Sequence, residues 1–147
     1  MGRTDGTRRH ARERALQFLF QIEQTREDWH DAISLFWEHH AARPGARRYA
    51  ELLIAETTAH RDEIDRVLSD ALEHWTLNRL GIVERSVLRL AACELLYCPD
   101  VPPKVAIDEA VDVTKKFATE KAGSFVNGVL DRIKTSLENG AISPTIG

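Results

Sequence analysis

"SFVNGVLDRI", residues 124–133, places Asn127-Gly128, the dipeptide that two-residue hairpin turns favour most, between apolar residues on both sides. Read as a hairpin, it leaves flanking strands of about two residues, with no other strand pattern in the chain to pair with. Read as a helix, it sets Phe125, Val126, Val129, Leu130 and Ile133 at i, i+1, i+4, i+5 and i+8, which is one face. The helix is the consistent reading. Gly128 then costs about 1 kcal/mol relative to alanine, so something is expected to approach the backbone there. A neighbouring helix is preferred to a ligand, and Asn127 is expected to hydrogen-bond across the helix junction.

Helical spacing continues outward from this stretch. Ala15, Leu16, Leu19 and Ile22 form one stripe, and Trp29, Ala32, Ile33 and Phe36 a second. Ile64, Val67, Leu68, Ala71, Leu72 and Trp75 form a longer third; Tyr49, Leu52 and Leu53 precede it, with a break near "TTAH" at 57–60. Residues 87–97, "VLRLAACELLY", are apolar almost all round, the pattern of a helix covered on several sides. "CPDVPPK" at 98–104 ends that helix and starts another, because proline suits a first turn but cannot donate inside a helix. Ile107, Ala110, Val111, Thr114 and Phe117 carry the period on, "TEKAGS" at 119–124 reads as the next break, and Ser124 reads as an N-cap. The expectation is an all-α chain of six or seven helices in one domain over 1–147. Its ends, 1–6 and about 139–147, are expected to be flexible.

The 147 residues suffice for one domain with a real core, and 43% hydrophobic with 29% charged residues excludes intrinsic disorder. No apolar run reaches the roughly 18 residues of a membrane span. The start lacks the apolar core of a secretory signal, and Gly6 stands where a myristoylation site needs Ser or Thr. Cys93 and Cys98 have no second pair, which argues against a metal knuckle or disulfide framework and for a reducing cytoplasm.

A net charge of −3 conceals a lopsided distribution. Arg3, Arg8, Arg9, Arg12 and Arg14 crowd the first fifteen residues against Asp5 and Glu13, while residues 27–73 carry eleven acids and five bases. Arg8 and Arg12, at i and i+4, repel each other at a helix start, where the dipole disfavours cations by roughly 0.3–1 kcal/mol. A sequence tuned only for folding would place acids there. An anionic ligand accounts for the cluster, and the planar guanidinium fork suits phosphate. The alternative is a solvated end whose charges serve solubility.

Catalytic constellations are missing. The six histidines form no HExxH, and there is no GxGxxG, Walker loop or GxSxG. Asp108 and Asp112 share a face, but Lys115 and Lys116 follow Asp112 at i+3 and i+4, which describes a salt-bridged surface. Cys93 lies in an apolar helix as a small core residue, and Trp29, Trp37 and Trp75 fit apolar stripes. No enzyme, cofactor or metal is expected.

Three stretches together resemble the NusB family of transcription antitermination factors: "RRHARERALQFLFQ" at 8–21, "WTLNRLGIVERSVLRLAACELLY" at 75–97, and "DVPPKVAIDEAVDVTKKFATEKAGSFVNGVLDRI" at 100–133. The last two carry the specificity; an arginine-rich start alone is weak. The resemblance implies two packed three-helix bundles and no catalysis. It also implies binding to boxA-type single-stranded RNA of ribosomal RNA operons, as a heterodimer with NusE, the small-subunit ribosomal protein, within an antitermination complex on bacterial RNA polymerase. By this likeness Arg8, Arg9 and Arg12 would grip phosphates and Phe125 would stack on an unpaired base, with Lys121 and Asn127 beside it. Phe20, Glu84 and Arg85 would face NusE. The sequence departs from the family pattern at His10, Phe20, Lys121, Ala122 and Ser124, which implies weak RNA affinity without the partner.

Two other readings stay open. One is a protein-only helical scaffold or dimerisation module, and a homodimer would hide the arginine face. The other is the RNA-binding module of a ribosomal RNA cytosine methyltransferase; with no glycine-rich cofactor segment following, a freestanding factor is expected.

Overall fold

In the computed structural model, which describes residues 6–143, Asn127 and Gly128 lie inside an unbroken helix. Seven α-helices follow one another: α1 Thr7–Thr25, α2 Trp29–His39, α3 Pro44–Ala59, α4 Arg61–Ala71, α5 Ile82–Tyr97, α6 Pro103–Phe117 and α7 Glu120–Glu138. A 3-10 turn at Leu77–Arg79 sits between α4 and α5, and no strand occurs among the described residues. The chain divides into two compact units, one up to Ala55 and one from Glu56. Of the ends expected to be flexible, 1–5 and 144–147 lie outside the described residues.

In the first unit, α1 packs on α2, with Phe18 meeting Phe36 edge-on at 5.1 Å, and Ala11, Ala15 and Phe18 of α1 are fully buried. Trp37 is buried and donates its indole N–H to Glu51 on α3 at 2.7 Å. Sequence spacing placed Leu19 and Ile22 on the α1 stripe, but the buried face runs through Ala11, Ala15 and Phe18 instead.

The second unit is built around α5, which touches α4, α6 and α7 as its apolar circumference requires. Arg89 on α5 reaches Asp65 on α4 as a two-pronged ion pair, at 2.8 and 3.1 Å. Cys93 is fully buried; its hydrogen bond with Cys98, and then burial, push its thiol pKa up, so it stays a neutral core residue. Tyr97 caps this side, its hydroxyl donating to Glu63 and its ring stacking on His60 at 4.0 Å. Val126, Val129, Leu130 and Ile133 of α7 are all buried, as the helical reading of the opening stretch requires.

Four local expectations are corrected. Trp75 is 55% exposed, because α4 ends at Ala71 and the chain past Leu72 is no longer helical. The N-cap of α7 is Thr119, whose Oγ1 accepts from the Ala122 N–H at 3.0 Å; Ser124 lies a full turn inside the helix. Asn127 is exposed, with no cross-junction hydrogen bond among the described residues. Gly128 is not a packing glycine: a Cβ there would meet only Arg132 Nη1, at 3.9 Å. The tight approach is at Gly123, where a Cβ would stand 2.9 Å from Lys115 Cγ and 3.5 Å from the Val111 carbonyl of α6.

The cap assignment predicts that Thr119→Ala costs about 1 kcal/mol of stability, whereas Ser124→Ala, an exposed mid-helix change, stays within about 0.5 kcal/mol of wild type. Urea denaturation of both variants checks this; equal costs would return the helix start to Ser124.

Candidate nucleic-acid interface

The arginine cluster occupies the first two turns of α1. Gly6 precedes the helix in the left-handed region (φ 83°) and offers no side-chain cap, and the first turn holds no acid. The N-cap residue therefore supplies no side-chain acceptor, and the helix dipole adds a positive local field at this end. Arg8 and Arg9 are exposed. Arg8 lies over the Tyr49 ring with its guanidinium carbon 4.4 Å from the centroid, and Arg12 approaches the same ring at 5.8 Å. One electron-rich face thus receives both cations, which offsets part of their mutual repulsion.

Arg12 differs from its neighbours. It is only 8% exposed, sharing its helix face with the buried Leu16 one turn on. Arg14 is structural as well: its Nε and Nη2 donate to the Ala41 carbonyl at 3.2 and 3.0 Å, and its Nη1 donates to Gln17 at 2.8 Å. His10 Nε2 lies 3.4 Å from the same carbonyl. These contacts tie the α2–α3 connection to α1 and border an open depression of about 540 Å³, edged by Gly6, Thr7, Ala42, Arg43 and Ala46. Of the three predicted phosphate-gripping arginines, the structure therefore presents two at the surface and encloses the third.

The other predicted contacts lie in the second unit, on α7. Lys121 and Phe125 are one turn apart on one face, the lysine exposed and the phenylalanine half-buried. Asn127, two residues on from Phe125, points round the helix away from that face. The predicted partner residues fall in both units, Phe20 in the first and Glu84 and Arg85 in the second. Phe20 is a 38% exposed aromatic on α1. Glu84 folds its carboxylate back toward Gly81 in the first turn of α5, a favourable place for an acid, and Arg85 Nη1 donates to the Leu80 carbonyl at 3.1 Å. Tyr49 was missed by sequence reasoning; nothing local in "RRYAELL" marks it as the floor beneath arginines of another helix. No cluster of three or more His, Cys, Asp or Glu side chains able to hold a metal occurs among the described residues.

A model of the NusB family matches residues 9–135. The transcription antitermination protein NusB of Syntrophus aciditrophicus is 42% identical over 126 residues, covering 86% of this chain and 78% of the relative. That of Myxococcus xanthus is 41% identical over 136 residues, covering 90% and 97%. Among solved structures, a chain in the crystal structure of antitermination factors NusB and NusE in complex with dsRNA superposes with a TM-score of 0.82 at 33% identity, over 90% of this chain and 99% of that one.

The contrast between enclosed and exposed arginines predicts that Arg12→Ala destabilises the protein by about 1–3 kcal/mol through lost packing and unpartnered neighbours. Arg9→Ala is expected to change stability by no more than about 0.5 kcal/mol. Thermal denaturation separates them, and equal effects would remove the distinction.

Proposed function

The chain belongs to the NusB family, and we propose that it acts as an RNA-binding transcription antitermination factor that recognises boxA-type single-stranded RNA of ribosomal RNA operons together with NusE. Relatives over most of its length are transcription antitermination proteins rather than enzymes, so no catalytic step is assigned. The observation that carries the reading is the exposed pair Arg8 and Arg9 at an acid-free helix start. The helix field opposes cations there, a cost that the stacking of Arg8 on Tyr49 offsets in part and that a phosphate brought to that corner reverses.

Within this reading Arg8 and Arg9 hold phosphates, and Arg12 acts mainly by shaping the cluster from its enclosed position. Phe125 offers a ring face to an unpaired base and Lys121 offers charge beside it, while Asn127, on another side of α7, would offer its amide to a separate stretch of the RNA. Phe20, Glu84 and Arg85 are the surface offered to NusE. The assembly would join RNA polymerase in the bacterial cytoplasm, and a homodimer covering the arginines would be the resting form that NusE and RNA displace. No described helix is long and apolar enough to cross a membrane.

The test is titration of boxA and scrambled RNA with the protein, alone and with NusE, at two salt concentrations. Preference for boxA by the heterodimer is expected, and Arg9→Ala should reduce the slope of log affinity on log salt by about one. An unchanged slope would count against phosphate contact at this corner. Absence of binding at micromolar concentration would favour the protein-only scaffold.

A further inference from the structure

Gly128 lies inside a 19-residue helix, where glycine is a poor choice, and no neighbour among the described residues asks for it. A Cβ at this position would make one ordinary contact, 3.9 Å to Arg132 Nη1. Gly123, one turn and a residue earlier, meets α6 and accounts for itself; Gly128 does not. A helical glycine that no described neighbour presses leaves its backbone open to a closer approach from outside the chain than a methyl group permits.

Its surroundings define what that is. Lys121, Phe125, Gly128 and Arg132 follow one another at i, i+4, i+7 and i+11, which keeps them on one side of α7. Lys121 and Arg132 are both exposed and stand on either side of the glycine along the helix. Arg132 is not mobile in the manner of a surface arginine: its Nε donates to the carbonyl of Ala71, the last residue of α4, at 2.8 Å. That bond commits Nε and orients the fork so that Nη1 stands next to the glycine. Asp131 is exposed on the flank, displaced from the stripe by one residue.

We propose that Gly128 and Arg132 form a phosphate seat in the RNA path, one turn beyond Phe125: the sugar-phosphate backbone lies against the bare helix at Gly128, and Arg132, with Lys121 on the other side, binds the phosphate there. This rests on the RNA-binding reading above and extends it to two residues that reading does not use. The two cations flanking the gap select an anion, and the fork favours a phosphate over a point charge. An acidic protein segment is the competing occupant.

The experiment compares Gly128→Ala, Arg132→Gln and wild type, each as the heterodimer with NusE, by RNA titration at several salt concentrations, alongside melting temperature and NusE affinity. Gly128→Ala should melt about 2–4 °C higher, since the helix gains propensity without a clash, yet bind RNA roughly tenfold more weakly. Arg132→Gln should weaken RNA binding to a similar extent and lower the salt slope by about 0.7. NusE affinity should stay at the wild-type value in both. A lower melting temperature for Gly128→Ala would show that the fold needs the glycine and overturn the proposal. RNA binding within twofold of wild type for both variants overturns it while leaving the broader function standing, and a loss confined to NusE affinity transfers the site to a protein. If the wild-type heterodimer binds no RNA, both readings fall together.

Discussion

The second unit depends on one constraint: the apolar side of α7 must find cover. Val126, Val129, Leu130 and Ile133 are all buried, and α4, α5 and α6 are the helices that α7 touches. At about 1.5–3 kcal/mol for each fully buried aliphatic side chain, these four positions outweigh the local penalty of Asn127 and Gly128 several times over. Helix here is therefore decided by burial and not by propensity, which is why a dipeptide suited to a turn can sit mid-helix. The same constraint fixes the opposite side of α7, because once the apolar residues face inward, Lys121, Phe125, Gly128 and Arg132 have only the outer surface left.

Electrostatics work differently in the first unit. The start of α1 concentrates guanidinium groups in a field that opposes them, with no acid in its first turn. Tyr49 receives Arg8 and Arg12, while Arg14 is absorbed by the Ala41 carbonyl and Gln17. The cluster is tolerated by the fold rather than required by it. Under the proposed function, that separation would leave its outer members to a ligand while its inner members serve the structure.

Periodicity made the helical class legible, because buried residues recur every three or four positions in α4, α6 and α7. What it could not show was where a face stops. Leu72 to Trp75 contains neither glycine nor proline, so the stripe of α4 appeared to run on to Trp75, although the helix closes at Ala71. Both glycines of α7 were visible, but only the position of α6 tells that Gly123 is pressed and Gly128 is open. Gly123 lies two turns before the buried Leu130, a spacing that carried the signal. In the arginine cluster, charge alone singled out Arg8, Arg9 and Arg12 together and did not separate the exposed pair from the enclosed residue. The enclosure of Arg12 was partly readable from Leu16 one turn on, and the role of Tyr49, brought in from a distant helix, was not readable at all.

Tyr49 also has an entropic meaning. With Arg8 already resting on the ring, much of the rotamer freedom of a long side chain is surrendered when the protein folds. An anion binding there, as the proposed function has it, would meet a narrowed set of conformers and cost less entropy per contact than at an unsupported guanidinium.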